Sequence, residues 1–220
     1  MENSQAQRAY EGMKQGILSR ELKPGCPIIE TDFAKRFQMS RTPIREAIRR
    51  LYAEGLVDIF PRKGAYIKTF TKRDLLMSFE AAEAIEGMVA YLIAKNMLEK
   101  KSDKKWLQEL DEIMDQMDKS LKTNDIQCWA SGDEKFHNTL YRMCDNEYII
   151  QSLERIRMQL NYALWFLTPF YIDKKPSNAE HREIIVAIRN GDPEKARAIS
   201  QKHRNRVRNE LEKSAPEYIF

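Results

Sequence analysis

The feature that most constrains the fold is a long stretch of sequence that favours helix. From Thr71 to Thr168 the chain contains two glycines and no proline, and its apolar residues recur at helical spacing. Clusters of Asn, Asp, Gly and Pro divide this stretch and the residues after it into six predicted helices, near residues 74–99, 103–122, 125–144, 146–168, 176–190 and 193–213. Short connections between helices of this length predict an antiparallel bundle.

The N-terminal part of the chain has a different pattern. Apolar spacing and capping residues predict three helices, at residues 5–22, 30–37 and 40–54. A tight turn at Gln38 and Met39 separates the second helix from the third, and Gly55 ends the third. Two short predicted strands, at residues 56–59 and 65–68, form a hairpin. The fold class is therefore predicted to be mainly α, with a winged helix-turn-helix in residues 1–70 and an antiparallel bundle of about six helices in residues 71–220.

Composition excludes several classes of protein. Hydrophobic residues make up 42% of the chain and charged residues 32%, as in an ordinary globular protein. The longest apolar runs, such as Tyr162 to Phe166, are far shorter than the roughly 20 residues that span a bilayer. No secretory signal opens the chain, and the three cysteines are too widely spaced for a disulfide framework or a cysteine-based zinc site. We therefore expect a cytoplasmic protein without a membrane partner.

The charge of the chain is concentrated near its N-terminus. The net charge is only +4, yet residues 35–73 contain eleven Lys and Arg against three Asp and Glu. In the predicted helix 40–54, the apolar residues form one buried stripe, and the opposite face presents Arg41, Thr42, Arg45 and Arg49. Such a face is typical either of a solvated helix surface or of a helix that reads the major groove of DNA. The preceding short helix, the tight turn and the basic hairpin favour the DNA-reading interpretation, in which Ser40 and the helix N-terminus bind a phosphate.

A family resemblance agrees with this interpretation. It is carried by Leu22-Lys23-Pro24-Gly25, Ser40-Arg41-Thr42-Pro43-Ile44-Arg45-Glu46-Ala47, Leu51, Glu54-Gly55-Leu56-Val57 and Lys63-Gly64-Ala65. Together these motifs resemble the DNA-binding domain of the GntR family over about residues 5–70. The resemblance implies a homodimer that places two recognition helices on a short palindromic operator. It also implies that DNA is contacted by Thr31, Ser40, Arg41, Thr42, Arg45, Lys63 and Gly64.

All three histidines of the chain lie in the predicted bundle. Asp133 and His137 are four residues apart and project from one face of one helix. His181 lies ten residues before Gly191 and His203 ten residues after Pro193, so a helical hairpin that turns there sets both histidines about 15 Å from the turn. Three imidazoles and a carboxylate suit a divalent transition metal; zinc is favoured, with nickel, manganese and iron as alternatives. The other interpretation is that each histidine is an ordinary polar residue.

The second half of the chain resembles a second known domain. The motifs are Asp133-x-x-Phe136-His137, Asn146, Glu180-His181-x-x-Ile184, Ala187-Ile188, Gly191-Asp192, Ala196 and His203. They are similar to the FCD-type effector domain of the FadR-like GntR subfamily, in its metal-binding form, over roughly residues 74–213. The resemblance implies that Asp133, His137, His181 and His203 bind the ion and that an organic acid often completes its coordination.

One position departs from that pattern. Where the family often has an arginine four residues before the glutamate of the first sensor helix, this chain has Ala82 before Glu86. The effector is then expected to be a different acid, to depend on the metal or on Arg155 or Arg157, or to be a molecule other than an acid. The expected function is a DNA-binding transcription repressor, and not an enzyme. It is expected to be controlled by a small metabolite, with an organic acid favoured, bound at a metal site in the C-terminal domain. The alternatives are a helical metalloenzyme and a regulator whose metal is purely structural.

Overall fold

The computed structural model describes residues 4–19, 21–99, 105–171, 173–217 and 219, without the side chains of residues 155, 161, 162, 164–166 and 168–171. Within this part of the chain there are three strands, β1 Pro27–Ile28, β2 Val57–Phe60 and β3 Gly64–Ile67. The same residues form nine helices: α1 Gln5–Leu18, α2 Glu30–Phe37, α3 Arg41–Ala53, α4 Lys72–Leu98, α5 Lys105–Thr123, α6 Ile126–Met143, α7 Glu147–Tyr171, α8 Lys174–Arg189 and α9 Pro193–Ser214. The prediction of a mainly α fold is confirmed.

The chain divides into two compact units. One unit extends to Thr71 and also includes Glu217 and Ile219; the other is Lys72–Pro216. The tail enters the first unit through the backbone, where the Ile219 amide donates to the Phe70 carbonyl at 2.9 Å and both side chains are buried. The helical domain predicted over residues 71–220 therefore differs from the observed helical unit at its C-terminal end.

Helices α1, α2 and α3 form the helical layer of the first unit. Ser4 caps α1 by accepting from the Gln7 amide, and the buried face of α1, with Met13 and Ile17, packs against α3. Between α2 and α3, Gln38 has a left-handed φ of 54°, and the Met39 amide returns to the Ala34 carbonyl at 2.9 Å. This tight turn sets the direction in which α3 leaves α2.

The sheet of the first unit has three antiparallel strands in the order β1-β3-β2. The two strands of the hairpin lie within one residue of the predicted ones, and Phe60 pairs with Gly64 at its tip. Strand β1 was not predicted, because two residues that begin with a proline have no alternating pattern that the sequence could reveal. Gly64, with φ of 97°, adopts a left-handed conformation that favours glycine.

The second unit is an all-helical bundle around α4. This helix packs against α9, α7 and α8, and α5 packs against α6 and α8. The core is apolar, and its largest fully buried members include Phe79, Ile93, Leu110, Met114, Met117 and Phe136. Each of the six predicted helices is present, with ends shifted by up to three residues. Among the described helices, none is both long and apolar enough to cross a membrane.

Candidate functional site

The residues predicted to contact DNA lie on the surface of the first unit. All eight are exposed: Thr31, Ser40, Arg41, Thr42, Arg45, Arg49, Lys63 and Gly64. Their orientation follows from α3, whose opposite stripe, including Ile44, Ala47 and Leu51, is completely buried. Because a helix that buries one stripe exposes the other, the guanidinium groups of α3 point outward. The structure thus brings the predicted residues of α3 onto one outward face.

The start of α3 has no capping side chain among the described residues. Ser40 occupies the N-cap position in extended conformation, and its side chain makes no capping hydrogen bond within the described residues. The first amides of a helix lack intrahelical partners and carry a partial positive charge. The hairpin contributes Lys63, which lies between Arg62 with φ of 63° and Gly64. These features match the electrostatic needs of a DNA backbone.

One residue of this face, Glu30, was missed by the sequence analysis. Its carboxylate accepts from Arg41 Nη2 at 2.7 Å and from Arg45 Nε at 2.9 Å. The hydrogen bond from Arg45 is the main reason that the pKa of Glu30 lies below its usual value, while desolvation opposes the shift. The only signal in the sequence was an acidic residue at the start of α2, which is common at any helix N-terminus.

The three histidines meet inside the second unit. His137 on α6, His181 on α8 and His203 on α9 each offer a ring nitrogen, and these nitrogens lie within 4.8 Å of one another. The Nε2 atoms of His181 and His203 are 3.3 Å apart, and Asp133 Oδ1 lies 3.7 Å from His181 Nε2. The structure therefore gathers the three predicted histidines into one buried cluster and places the partly exposed Asp133 beside His181.

The turn between α8 and α9 sets the two histidines level, as the sequence predicted. Gly191 has a left-handed φ of 63°, and Asp192 caps α9 by accepting from the Lys195 amide at 3.1 Å. Pro193 occupies the first turn of α9, where its missing amide hydrogen costs no helical hydrogen bond. The helical hairpin is thus fixed by local chemistry close to the turn.

The donor atoms of this cluster fit a metal ion. Buried polar atoms normally have a hydrogen-bond partner, yet His137 Nδ1, His137 Nε2 and His181 Nδ1 have none among the described residues. His203 Nδ1 lies 2.8 Å from the carboxylate of Glu180, which favours the tautomer with its proton on Nδ1 and a lone pair on Nε2. Neutral imidazole nitrogens and one carboxylate are donors that zinc and related ions accept.

Burial sets the protonation of the cluster. Desolvation lowers the pKa of His137, His181 and His203, and nearby positive charge lowers it further for each. For His203 the hydrogen bond with Glu180 opposes this shift without reversing it. Desolvation also raises the pKa of Asp133 to about 6. The histidines are therefore neutral near pH 7, which is the form that binds metal, and the carboxyl group of Asp133 is mostly ionised at that pH.

Two arginine–glutamate pairs lie beside the histidines, and local sequence patterns predict neither of them. The carboxylate of Glu86 accepts hydrogen bonds from Arg204 Nε at 2.6 Å, from Arg204 Nη2 at 2.8 Å and from the Tyr141 hydroxyl at 2.7 Å. Its carboxylate lies 3.5 Å from His137 Nδ1. Arg204 thus pairs with Glu86, while Ala82 is completely buried. The signal available in the sequence was that Arg204 directly follows a predicted metal ligand.

The second pair supports His203. Arg206 Nε and Nη2 each donate to Glu180 Oε2, at 3.0 and 2.8 Å, and the same oxygen faces His203 Nδ1. Although desolvation opposes ionisation, these hydrogen bonds hold the pKa of Glu180 at about 2. A carboxylate in this position fixes the ring orientation of a metal-binding histidine. The adjacency of Glu180 to His181 was the only hint in the sequence.

The predicted effector residues are only partly placed. Arg157 Nη1 donates to Asn138 Oδ1 at 2.9 Å, and its guanidinium lies 5.6 Å from the centre of the Tyr141 ring. Tyr141 is one helical turn beyond His137 on α6 and hydrogen-bonds Glu86, so Arg157 adjoins the side-chain network of the cluster. The side chain of Arg155 lies outside the described residues.

A winged helix-turn-helix with an exposed basic helix, joined to a helical domain with a buried histidine cluster, defines a class of DNA-binding transcription regulators. The model for bacterial regulatory proteins of the gntR family matches residues 5–67, and the FCD domain model matches residues 77–206. The chain belongs to the GntR family and carries an FCD domain. Its relatives and both matched families are transcription regulators, and not enzymes.

Individual relatives agree. An uncharacterized HTH-type regulator from Agrobacterium vitis is 34% identical over 132 residues, covering 60% of this chain and 76% of the relative. The probable D-xylose utilization operon transcriptional repressor of Paenarthrobacter nicotinovorans is 26% identical, covering 82% and 76%. The crystal structure of a GntR regulator from Rhodococcus has the same fold, with a TM-score of 0.73 at 18% identity, over 97% of this chain and all of that one.

Proposed function

We propose that this regulator is a homodimeric repressor whose helical domain binds a divalent transition metal, with zinc favoured, and a small organic acid. The observation that carries the proposal is the buried cluster of His137, His181 and His203, in which one ring nitrogen of each lies within 4.8 Å of the others. Three ring nitrogens of His137 and His181 have no hydrogen-bond partner among the described residues. In this proposal residues 1–70 bind DNA, and residues 71–220 bind the effector and form the dimer.

In this proposal Asp133, His137, His181 and His203 hold the ion. A divalent ion held by three imidazoles and one carboxylate keeps net positive charge, which attracts an anionic ligand. Expansion beyond four ligands gives the anion a coordination position. Glu180 keeps the proton of His203 on Nδ1, so that Nε2 faces the ion. Arg204 is committed to Glu86, so the acid depends on the ion and on residues such as Arg155 and Arg157.

The DNA half of the proposal is a dimer on a short palindrome. Two copies of α3 enter successive major grooves when the half-sites are about one helical turn apart. Arg41, Arg45 and Arg49 are exposed for this purpose, and the relative from Paenarthrobacter is named a repressor. A cytoplasmic location belongs to the proposal because the operator DNA is there.

The test compares metal content and DNA binding in one preparation. The full chain is stripped with a chelator and reloaded with zinc, and the metal content is measured by elemental analysis. His181→Gln and Asp133→Asn are expected to lose most of the bound zinc. Asp111→Asn, which alters an exposed carboxylate of α5, serves as the matched control and retains it.

The second arm adds a panel of organic acids to the zinc-loaded chain and measures binding to a duplex that the chain selects from a random-sequence pool. An acid that changes DNA affinity only when zinc is present supports the proposal. Zinc loss that unfolds the domain, with no acid changing DNA affinity, assigns the ion a structural role. Full zinc retention by His181→Gln overturns the metal site.

A further inference from the structure

Glu30 joins the two helices of the helix-turn-helix through their charged side chains. It is the first residue of α2, and its carboxylate binds Arg41 and Arg45 of α3 at once. The two arginine side chains are 55% and 56% exposed, whereas that of Glu30 is 26% exposed. A single carboxylate thus restrains two of the side chains that form the DNA-reading face.

The hydrogen bonds differ between the two arginines. Arg45 donates to Glu30 through Nε, so the two Nη groups at the end of its guanidinium lie outside these bonds. Arg41 donates through both Nε and Nη2. The commonest specific contact between protein and DNA is a bidentate arginine on guanine O6 and N7. The geometry leaves Arg45 able to make that contact while it remains bonded to Glu30.

Stability alone does not explain this arrangement. Exposed ion pairs contribute only about 0–1 kcal/mol to folding. The carboxylate of Glu30 is expected to affect DNA affinity more than folding stability, because a negative charge near the phosphates opposes electrostatic binding to the DNA backbone. Non-specific binding consists mostly of phosphate contacts, so it must either break the Glu30 pairs or bring this carboxylate close to the backbone.

We propose that Glu30 is a specificity-determining residue, which positions Arg45 for base contact and disfavours the phosphate contacts that Arg41 and Arg45 would make on non-operator DNA. The residue acts through the two arginines and does not itself contact DNA. The proposal concerns the DNA-binding unit alone and is independent of the metal and the effector.

The experiment measures binding of the full chain to two duplexes over a range of salt concentrations. One duplex is selected by the wild-type chain from a random-sequence pool, and the other is a scrambled sequence of the same composition. The test variant is Glu30→Gln. The matched control is Glu21→Gln, which makes the same change of charge in an exposed pair of the same unit, with Arg36.

Glu30→Gln is expected to weaken binding to the selected duplex, strengthen binding to the scrambled one and reduce their affinity ratio about tenfold or more. On the scrambled duplex, the slope of log affinity against log salt should steepen by about one, as for one added phosphate contact. Glu21→Gln should leave the ratio unchanged. An unchanged ratio in Glu30→Gln, or an equal fall in both variants, overturns the proposal.

The effect of Glu30 on Arg45 is distinguished from general damage to the domain by repeating the substitution in a variant that lacks Arg45. In Arg45→Ala, the substitution Glu30→Gln should no longer weaken binding to the selected duplex, because Arg45, the residue that Glu30 positions for base contact, is absent. Equal weakening in both backgrounds would indicate general damage to the domain and overturn the proposal. Glu30→Asp keeps the negative charge, so its affinity for the scrambled duplex is expected to be as low as that of the wild-type chain. This comparison holds even if Glu30→Gln has a lower free energy of unfolding.

Discussion

An arginine–glutamate ion pair in each of the two units offers a comparison. The two pairs have similar nitrogen–oxygen distances but differ in solvent exposure. Arg45 and Glu30 are 2.9 Å apart on the surface, with side chains 56% and 26% exposed. Arg204 and Glu86 are 2.6 Å apart inside the helical unit, and each is 5% exposed. Water can replace either partner of the first pair, whereas in the second pair a lost partner leaves a charge without solvent.

This difference shows how a ligand site can be recognised in each unit. On the exposed face, an arginine without a protein partner costs little, so its role must be inferred from the face that it occupies and from its charge. In the buried cluster, an imidazole without a partner costs free energy, so the nitrogens of His137 and His181 that lack a partner among the described residues favour a bound group. The same chemical observation therefore has different weight in the two units.

The largest effect is expected from breaking the buried pair. Arg204→Met should lower the free energy of unfolding by about 3–5 kcal/mol, because the ionised carboxylate of Glu86 is left in the interior with only the Tyr141 hydroxyl as a described hydrogen-bond donor. Denaturant unfolding of the metal-free chain, followed by circular dichroism, measures the change.

A matched control lies in the same unit. Arg189 and Asp111 form an exposed pair at 2.6 Å, so Arg189→Met should cost only about 0–1 kcal/mol. Replacing both buried partners, in Glu86→Leu with Arg204→Met, should recover much of the loss because no charge remains unpaired. Equal costs for the two single arginine variants would show that burial does not distinguish the pairs.

A smaller effect is expected on the exposed face. Arg45→Ala should remove roughly 1–3 kcal/mol of binding to the selected duplex if Arg45 reads a base, and should leave the free energy of unfolding nearly unchanged. Arg36→Ala, which removes an exposed arginine of α2, serves as the control and should have little effect on sequence preference. Unchanged affinity of Arg45→Ala at constant salt would contradict a base-reading role.

The exposed face of α3 and the meeting of His181 with His203 were predictable from the sequence, because both depend on local helical periodicity. The stripe of Ile44, Ala47 and Leu51 predicted which face of α3 is exposed, since helical spacing fixes the faces of a helix. The equal distances of His181 and His203 from the turn likewise predicted that they meet. Both inferences needed only the geometry of one helix or one hairpin.

The partners of the charged residues could not be predicted in the same way. Glu86 and Arg204 are 118 residues apart, and the packing of α4 against α9 brings them together. The sequence revealed that Ala82 breaks the family pattern, but not that Arg204 supplies the guanidinium that pairs with Glu86. Glu30 reaches Arg41 and Arg45 only because the turn at Gln38 orients α2 against α3. Such contacts depend on tertiary structure, which local patterns do not encode.

The smallest predicted effect is a dependence of stability on pH in the metal-free chain. Burial lowers the pKa of His137, His181 and His203 in the folded state. In the unfolded chain the pKa of each histidine is about 6.5. As the pH falls through this value, the unfolded state binds protons that the folded state does not, so stability decreases. Asp133 has the opposite sign, because burial raises its pKa to about 6, but it is one group against three.

Between about pH 7 and about pH 6.5, the thermal midpoint of the metal-free chain should therefore fall, on the order of one or two degrees. In His137→Gln one of the three titrating groups is absent, so the fall should be about one third smaller than in the parent chain. Differential scanning calorimetry of both proteins in matched buffers measures it. A midpoint that rises on acidification would mean that the folded cluster takes up protons more readily than the unfolded chain. The buried histidines would then share a proton, and their unpaired nitrogens would no longer argue for a metal ion.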